Sequence, residues 1–115
     1  MSPITTHILD TSQGRPAQGV AVILSRQKPD GKHWEALAAG TTNVDGRIAD
    51  LLPDGTELEV GVYRLHFAVG EYFAQQGVES FYPEVEIRFR FQNPEQHYHV
   101  PLLLNPFGYT TYRGS

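Results

Sequence analysis

A single-domain β-sandwich is the fold this sequence predicts: two antiparallel sheets, seven or eight strands and one short helix across residues 1–115. Three observations carry it. Apolar residues recur with period two along several segments, Gly, Pro and Asp cluster at regular intervals between them, and only one stretch looks helical. The length suits one domain around one hydrophobic core.

The elements follow in chain order. Ile4–Asp10 reads as the first strand, and residues 12–16, rich in Ser, Gly and Pro, read as a loop or hairpin end. Val20, Ala21, Val22, Ile23 and Leu24 form an unbroken apolar run, expected as a strand buried more fully than the rest. Pro29-Asp30-Gly31-Lys32 suits a hairpin turn into a strand over residues 34–39, because glycine accepts positive φ at no steric cost. Asn43-Val44-Asp45-Gly46 and Pro53-Asp54-Gly55 are further turns. Tyr63, Leu65, Phe67 and Val69 alternate with Arg64, His66 and Ala68, as a strand with one buried face requires. Residues 71–76 form the expected helix, closed by Gly77. Val85, Ile87, Phe89 and Phe91 alternate with Glu86, Arg88 and Arg90, and residues 97–104 and 109–112 complete the strands.

Composition narrows the function. A formal charge of −4 without a basic stripe argues against a nucleic-acid partner. With 0 cysteines, a disulfide framework and thiolate metal sites are both excluded. The start, Met1-Ser2-Pro3-Ile4-Thr5-Thr6-His7, lacks a basic segment followed by an apolar run, and no stretch is long enough to span a bilayer. The expectation is a cytoplasmic protein with no membrane partner.

The most informative local feature is His97-Tyr98-His99. On a strand both imidazoles share one face, while Tyr98, Val100, Leu102 and Leu104 share the other, which is the better candidate for the core. Taken alone, the pair reads as two surface histidines. Pro101 removes a ladder donor and points to an edge or a bend. His-x-His, with His7 as a third ligand, is also a zinc pattern. No cysteine and no carboxylate at a telling spacing supports it, so no metal and no cofactor are assigned.

His7 shares its face of the first strand with Thr5 and Leu9 and reads first as structural, as do His33 and His66. Arg47 closes the Asn43–Gly46 turn; its guanidinium suits a planar, oxygen-rich group and would hold a neighbouring histidine neutral. Chain ends usually fray, but residues 106–112 are aromatic and β-prone, so a docked end is expected. Ser115 lacks the Gly-x-Ser-x-Gly elbow of a serine nucleophile.

Several ordered segments carry a resemblance. Thr6-His7-Ile8-Leu9-Asp10, Thr42-Asn43-Val44-Asp45-Gly46-Arg47 and Phe81-Tyr82-Pro83 are followed by His97-Tyr98-His99-Val100-Pro101-Leu102-Leu103-Leu104, Asn105-Pro106-Phe107-Gly108-Tyr109 and the final Tyr112-Arg113-Gly114-Ser115. Together they resemble the transthyretin-like 5-hydroxyisourate hydrolases over essentially the whole chain. Ile8 and Asn105 are conservative departures.

The resemblance implies a transthyretin-like sandwich assembled as a homotetramer, a dimer of dimers. It implies hydrolysis of 5-hydroxyisourate to 2-oxo-4-hydroxy-4-carboxy-5-ureidoimidazoline in urate degradation, with pockets at the dimer–dimer interface. Carried onto this sequence, His7, Arg47, His99 and Ser115 are the catalytic candidates. His7, Arg47, Tyr112, Arg113 and Gly114 are the substrate-binding candidates, and His97 stands beside them as a supporting residue. Two readings from other classes compete: a non-catalytic carrier of the same fold, and a β-sandwich interaction module.

Overall fold

The computed structural model describes residues 2–115. Its strands are β1 (Ile4–Asp10), β2 (Arg15–Pro16), β3 (Ala21–Gln27), β4 (Trp34–Thr41), β5 (Gly61–Phe67), β6 (Val85–Phe91), β7 (Tyr98–Asn105) and β8 (Gly108–Thr111), with one helix, α1 (Val69–Ala74), between β5 and β6. They form two four-stranded sheets, ordered β2-β1-β7-β8 and β4-β3-β5-β6.

Period two decides which side chains enter the core. Ile4 and Ile8 of β1 and Val100, Leu102 and Leu104 of β7 line one inner face. Val22 and Leu24 of β3, Tyr63, Leu65 and Phe67 of β5, and Val85 and Phe91 of β6 line the other. The outward residues of β5 and β6 are the expected polar ones. On that outer face the Arg64 and Arg88 guanidinium groups stack on Trp34, at 4.6 and 5.3 Å from the ring centroid.

Three expectations need correction. Most strand pairs are antiparallel, but β1 and β7 run parallel. They are far apart in sequence, so no hairpin dictates their relative direction. Residues 12–16, expected as a loop or hairpin end, do close a short hairpin, in which β2 pairs Pro16 with Leu9 and Arg15 with Asp10. β3 is half-buried rather than fully buried: Ile23 is 41% exposed because alternate residues leave the core even in an all-apolar run. Finally, β7 is an interior strand despite Pro101, for a reason that bears on the site below.

Helix α1 begins two residues before its expected start. Val69, Tyr72 and Phe73 are the buried residues, and their i, i+3, i+4 spacing makes one apolar stripe. Gly77 ends it as expected: φ is +70°, with Gly77 N–H donating to Ala74 O at 3.0 Å and Val78 N–H to Phe73 O at 3.0 Å. That is the Schellman pattern of bonds. The helix is tied to β1 by the Tyr72 hydroxyl, which donates to the buried Asp10 carboxylate at 2.7 Å. Backbone N–H groups of Ser12 and Gln13 also donate to Asp10, so this carboxylate is a satisfied structural anion.

Candidate active site

The outer face of the β2-β1-β7-β8 sheet carries the sequence-predicted residues. In the parallel register of β1 and β7, Thr5 stands beside His99 and His7 beside Pro101. Thr5, His7 and His99 are half-buried, whereas their neighbours Ile4, Thr6, Ile8 and Val100 are buried in the core. Strand alternation and register thus bring together two histidines that are distant in the sequence.

Arg47 reaches this face from the free flank of β1. β2 is only two residues long, so it leaves that flank open to the turn carrying Arg47. Ile8 N–H donates to Gly46 O at 2.9 Å, and His7 and Arg47 form an antiparallel bridge. The turn closes on itself: Asn43 Oδ1 accepts from Asp45 N at 2.9 Å and Arg47 N at 3.2 Å, while Gly46 N–H donates to Asn43 O at 2.9 Å.

Gly46 permits the approach. Its φ is +74°, and a Cβ there would lie 2.4 Å from Ile8 O and 3.3 Å from His7 Cδ2. Gly46→Ala is expected to destabilise the chain by at least about 1–3 kcal/mol, the usual cost of such backbone strain. It should also lower activity by separating Arg47 from His7. A urea unfolding midpoint equal to wild type would contradict this.

The final residues reach the same face by extending β8 past a gap. The β7–β8 ladder ends at Leu102 paired with Thr111, and pairing resumes at His99 with Gly114, in the same register. That register sets Tyr112 opposite Pro101, which has no N–H to donate. This is why β7 tolerates a proline between two neighbours: the missing donor falls where the partner strand breaks off. Thr111 Oγ1 donates to Pro101 O at 2.8 Å, and Gly114 N–H donates to His99 O at 2.8 Å, so the tail is docked.

Gly114 lies directly against the His99 ring. A Cβ at this position would stand 2.6 Å from His99 Cδ2 and 3.2 Å from Pro101 Cγ. Arg113 points the other way: its guanidinium stacks 4.3 Å from the Tyr98 ring centroid and donates to Gln96 Oε1 at 3.1 Å. The structure therefore does not bring the Arg113 side chain to the histidines. Tyr112 is exposed, and Ser115 lies exposed one residue past Gly114.

His97 lies just before β7 and joins the cluster through Thr5, a residue the sequence did not single out. Thr5 Oγ1 is 2.8 Å from His97 Nε2 and 2.8 Å from His99 Nδ1. The only sequence signal was its place on the His7 face. His33 and His66 are remote from this cluster, paired with Asp30 and Glu84 respectively.

Electrostatics favour neutral imidazoles. Burial lowers the pKa of His99, and the neighbouring Arg47, His97 and His7 lower it further, against an opposing hydrogen bond to the Thr5 backbone. Burial also lowers the pKa of His7, with Arg47 as the second cause, opposed by the Asp45 backbone and carboxylate. The site can therefore offer free imidazole lone pairs near neutral pH, beside a fixed cation. No cluster of three or more His, Cys, Asp or Glu side chains is placed to hold a metal among the described residues.

Known proteins share this architecture. Residues 4–114 match the sequence profile of the HIUase/Transthyretin family. The chain is 47% identical to a 5-hydroxyisourate hydrolase of Mus musculus, over 99% of this chain and 96% of the relative. Its fold is similar to that of the Klebsiella pneumoniae 5-hydroxyisourate hydrolase, with TM-score 0.83, 42% identity, and coverage of 97% of this chain and 98% of the other. It is also similar to a transthyretin from Sparus aurata, with TM-score 0.91, 36% identity, and coverage of 99% and 97%. The two-sheet architecture and the near-complete profile match lead to one conclusion: this chain belongs to the HIUase/transthyretin family.

Proposed function

We propose that the chain hydrolyses 5-hydroxyisourate to 2-oxo-4-hydroxy-4-carboxy-5-ureidoimidazoline, a ring-opening step of urate degradation. The carrying observation is the meeting of His7 and His99 on one sheet face, between Arg47 and the docked Gly114. The relatives from mouse and Klebsiella carry the name of this activity.

Opening a cyclic acyl–nitrogen bond requires activated water, charge stabilisation at the acyl oxygen and a proton for the leaving nitrogen. In this reading His7 and His99 orient water and take its proton. Arg47 keeps them neutral and attracts the substrate's oxygens. Tyr112 and the backbone of residues 113–114 hold the flat heterocycle, and Ser115 positions it rather than attacking it. The Arg113 side chain, stacked on Tyr98, contributes by fastening the tail. No step in this scheme calls for a metal or another cofactor.

The cluster stands on an open sheet face, so a second surface is needed to exclude water from the substrate. We assign that role to another copy of the chain within a cytoplasmic homotetramer. No helix among the described residues is long and apolar enough to cross a membrane.

The pH–rate profile tests the scheme. A base must be unprotonated to act, and the pKa values of His7 and His99 both lie below the usual 6.5. The acid limb of kcat/KM should therefore fall below pH 6.5, the ordinary histidine value. Arg47→Gln removes a positive charge that penalises imidazolium, so its acid limb should move to higher pH while the maximal rate drops. An acid limb identical in both proteins would refute the role given to Arg47, and absence of turnover at every pH would refute the function.

A further inference from the structure

The Thr5 hydroxyl touches two imidazoles at once, and the scheme above gives it no task. Its Oγ1 lies 2.8 Å from both His97 Nε2 and His99 Nδ1, with the two rings 6.2 Å apart between centroids. A hydroxyl has one proton and two lone pairs. Bridging two rings, it is satisfied when it donates to one and accepts from the other.

The geometry sets the direction that a base at His99 needs. Nδ1 is occupied by the Thr5 hydroxyl, so Nε2 is the nitrogen left to take a proton. A neutral imidazole with a free lone pair on Nε2 carries its one N–H on Nδ1. His99 Nδ1–H then donates to Thr5 Oγ1, and Thr5 spends its own proton on His97 Nε2. The opposite edge of the His99 ring is fixed too, because Cδ2 packs against Gly114. With Nδ1 held by Thr5 and Cδ2 by the tail, Nε2 lies at the outer tip of a ring that cannot turn freely.

We propose that Thr5 is a positioning residue that fixes His99 as its Nδ1–H tautomer, with His97 as acceptor of the hydroxyl proton, so that His99 Nε2 is the nitrogen that deprotonates water. The inference rests on the hydrolase reading above and assigns roles within it. As water's oxygen bonds to the acyl carbon, its proton passes to Nε2. The acyl carbon–nitrogen bond then breaks, and the same proton leaves Nε2 for the departing ring nitrogen. Nδ1–H keeps its bond to Thr5 throughout. His97 never touches substrate in this scheme; it holds the hydroxyl in the direction that His99 needs.

The experiment combines kinetics and nitrogen NMR on the full chain as wild type, Thr5→Val and Thr5→Ser. Wild-type His99 should show a pyrrole-type Nδ1 and a pyridine-type Nε2 above its pKa. Thr5→Val, which keeps the shape and loses the hydroxyl, should mix the two tautomers. It should also cut kcat by about tenfold or more, within the range of general-base contributions, and leave KM little changed. Thr5→Ser should restore both the tautomer and most of the rate, which a purely structural role for the methyl-bearing side chain does not predict. A wild-type His99 protonated at Nε2, or a Thr5→Val enzyme with unchanged kcat, would overturn the proposal. Wild-type protein that lacks turnover but shows the Thr5-dependent tautomer would instead overturn the hydrolase reading alone.

Discussion

Replacing His99 with glutamine should lower kcat/KM for 5-hydroxyisourate by about 10²–10⁴-fold, the range expected when a positioned acid–base group is lost. Glutamine retains a polar group on the Thr5 side but cannot accept a proton from water at neutral pH. The substitution touches no core position, because His99 faces outward between the buried Tyr98 and Val100. Far-ultraviolet circular dichroism and the melting temperature should therefore stay close to wild type, and stopped-flow absorbance gives the rate. A loss smaller than tenfold with the fold intact would remove His99 from the chemistry and leave His7 as the candidate base.

The second large effect is expected at the chain's end. Deleting residues 112–115 removes the Gly114 N–H bond to His99 O and the stacking of Arg113 on Tyr98. Their contribution to stability is modest: about 1 kcal/mol for the hydrogen bond and about 0.5–1 kcal/mol for an exposed cation–π contact. Turnover should nonetheless fall by about 10²-fold or more, because a misplacement of about 1 Å in a catalytic constellation suffices for that. Gly114→Ala isolates the cause. The new Cβ would be 2.6 Å from His99 Cδ2, so either the ring or the tail must move. Near-normal turnover in both variants, with a cooperative unfolding transition, would show that the tail is not part of the site.

Much of this was legible in the sequence because period two is a local signal. The alternation from Tyr63 to Phe67 and from Val85 to Phe91 needs no knowledge of the partner strand, and both match the buried faces observed. His97-Tyr98-His99 placed its imidazoles opposite Tyr98 and Val100 for the same reason. The Asn43–Gly46 turn and Gly77 were equally readable from residue type. What remained hidden depends on register between distant segments. The parallel pairing of β1 with β7 sets Thr5 beside His99, and nothing in either segment alone announces it. Pro101 suggested an edge because the gap opposite it is produced by the course of the tail, not by β7. The direction of the Arg113 side chain was lost for a similar reason: strand alternation persists past the last residue of β8, placing Gly114 toward the histidines and Arg113 toward Tyr98.

The decisive measurement is the decay of freshly prepared 5-hydroxyisourate with purified protein, followed by ultraviolet absorbance at neutral pH in excess chelator. The expected result is decay well above the spontaneous rate, in proportion to protein concentration and with 2-oxo-4-hydroxy-4-carboxy-5-ureidoimidazoline as product. Decay at the spontaneous rate would contradict the function assigned to the histidine face, and activity that disappears with chelator would contradict its metal-free chemistry.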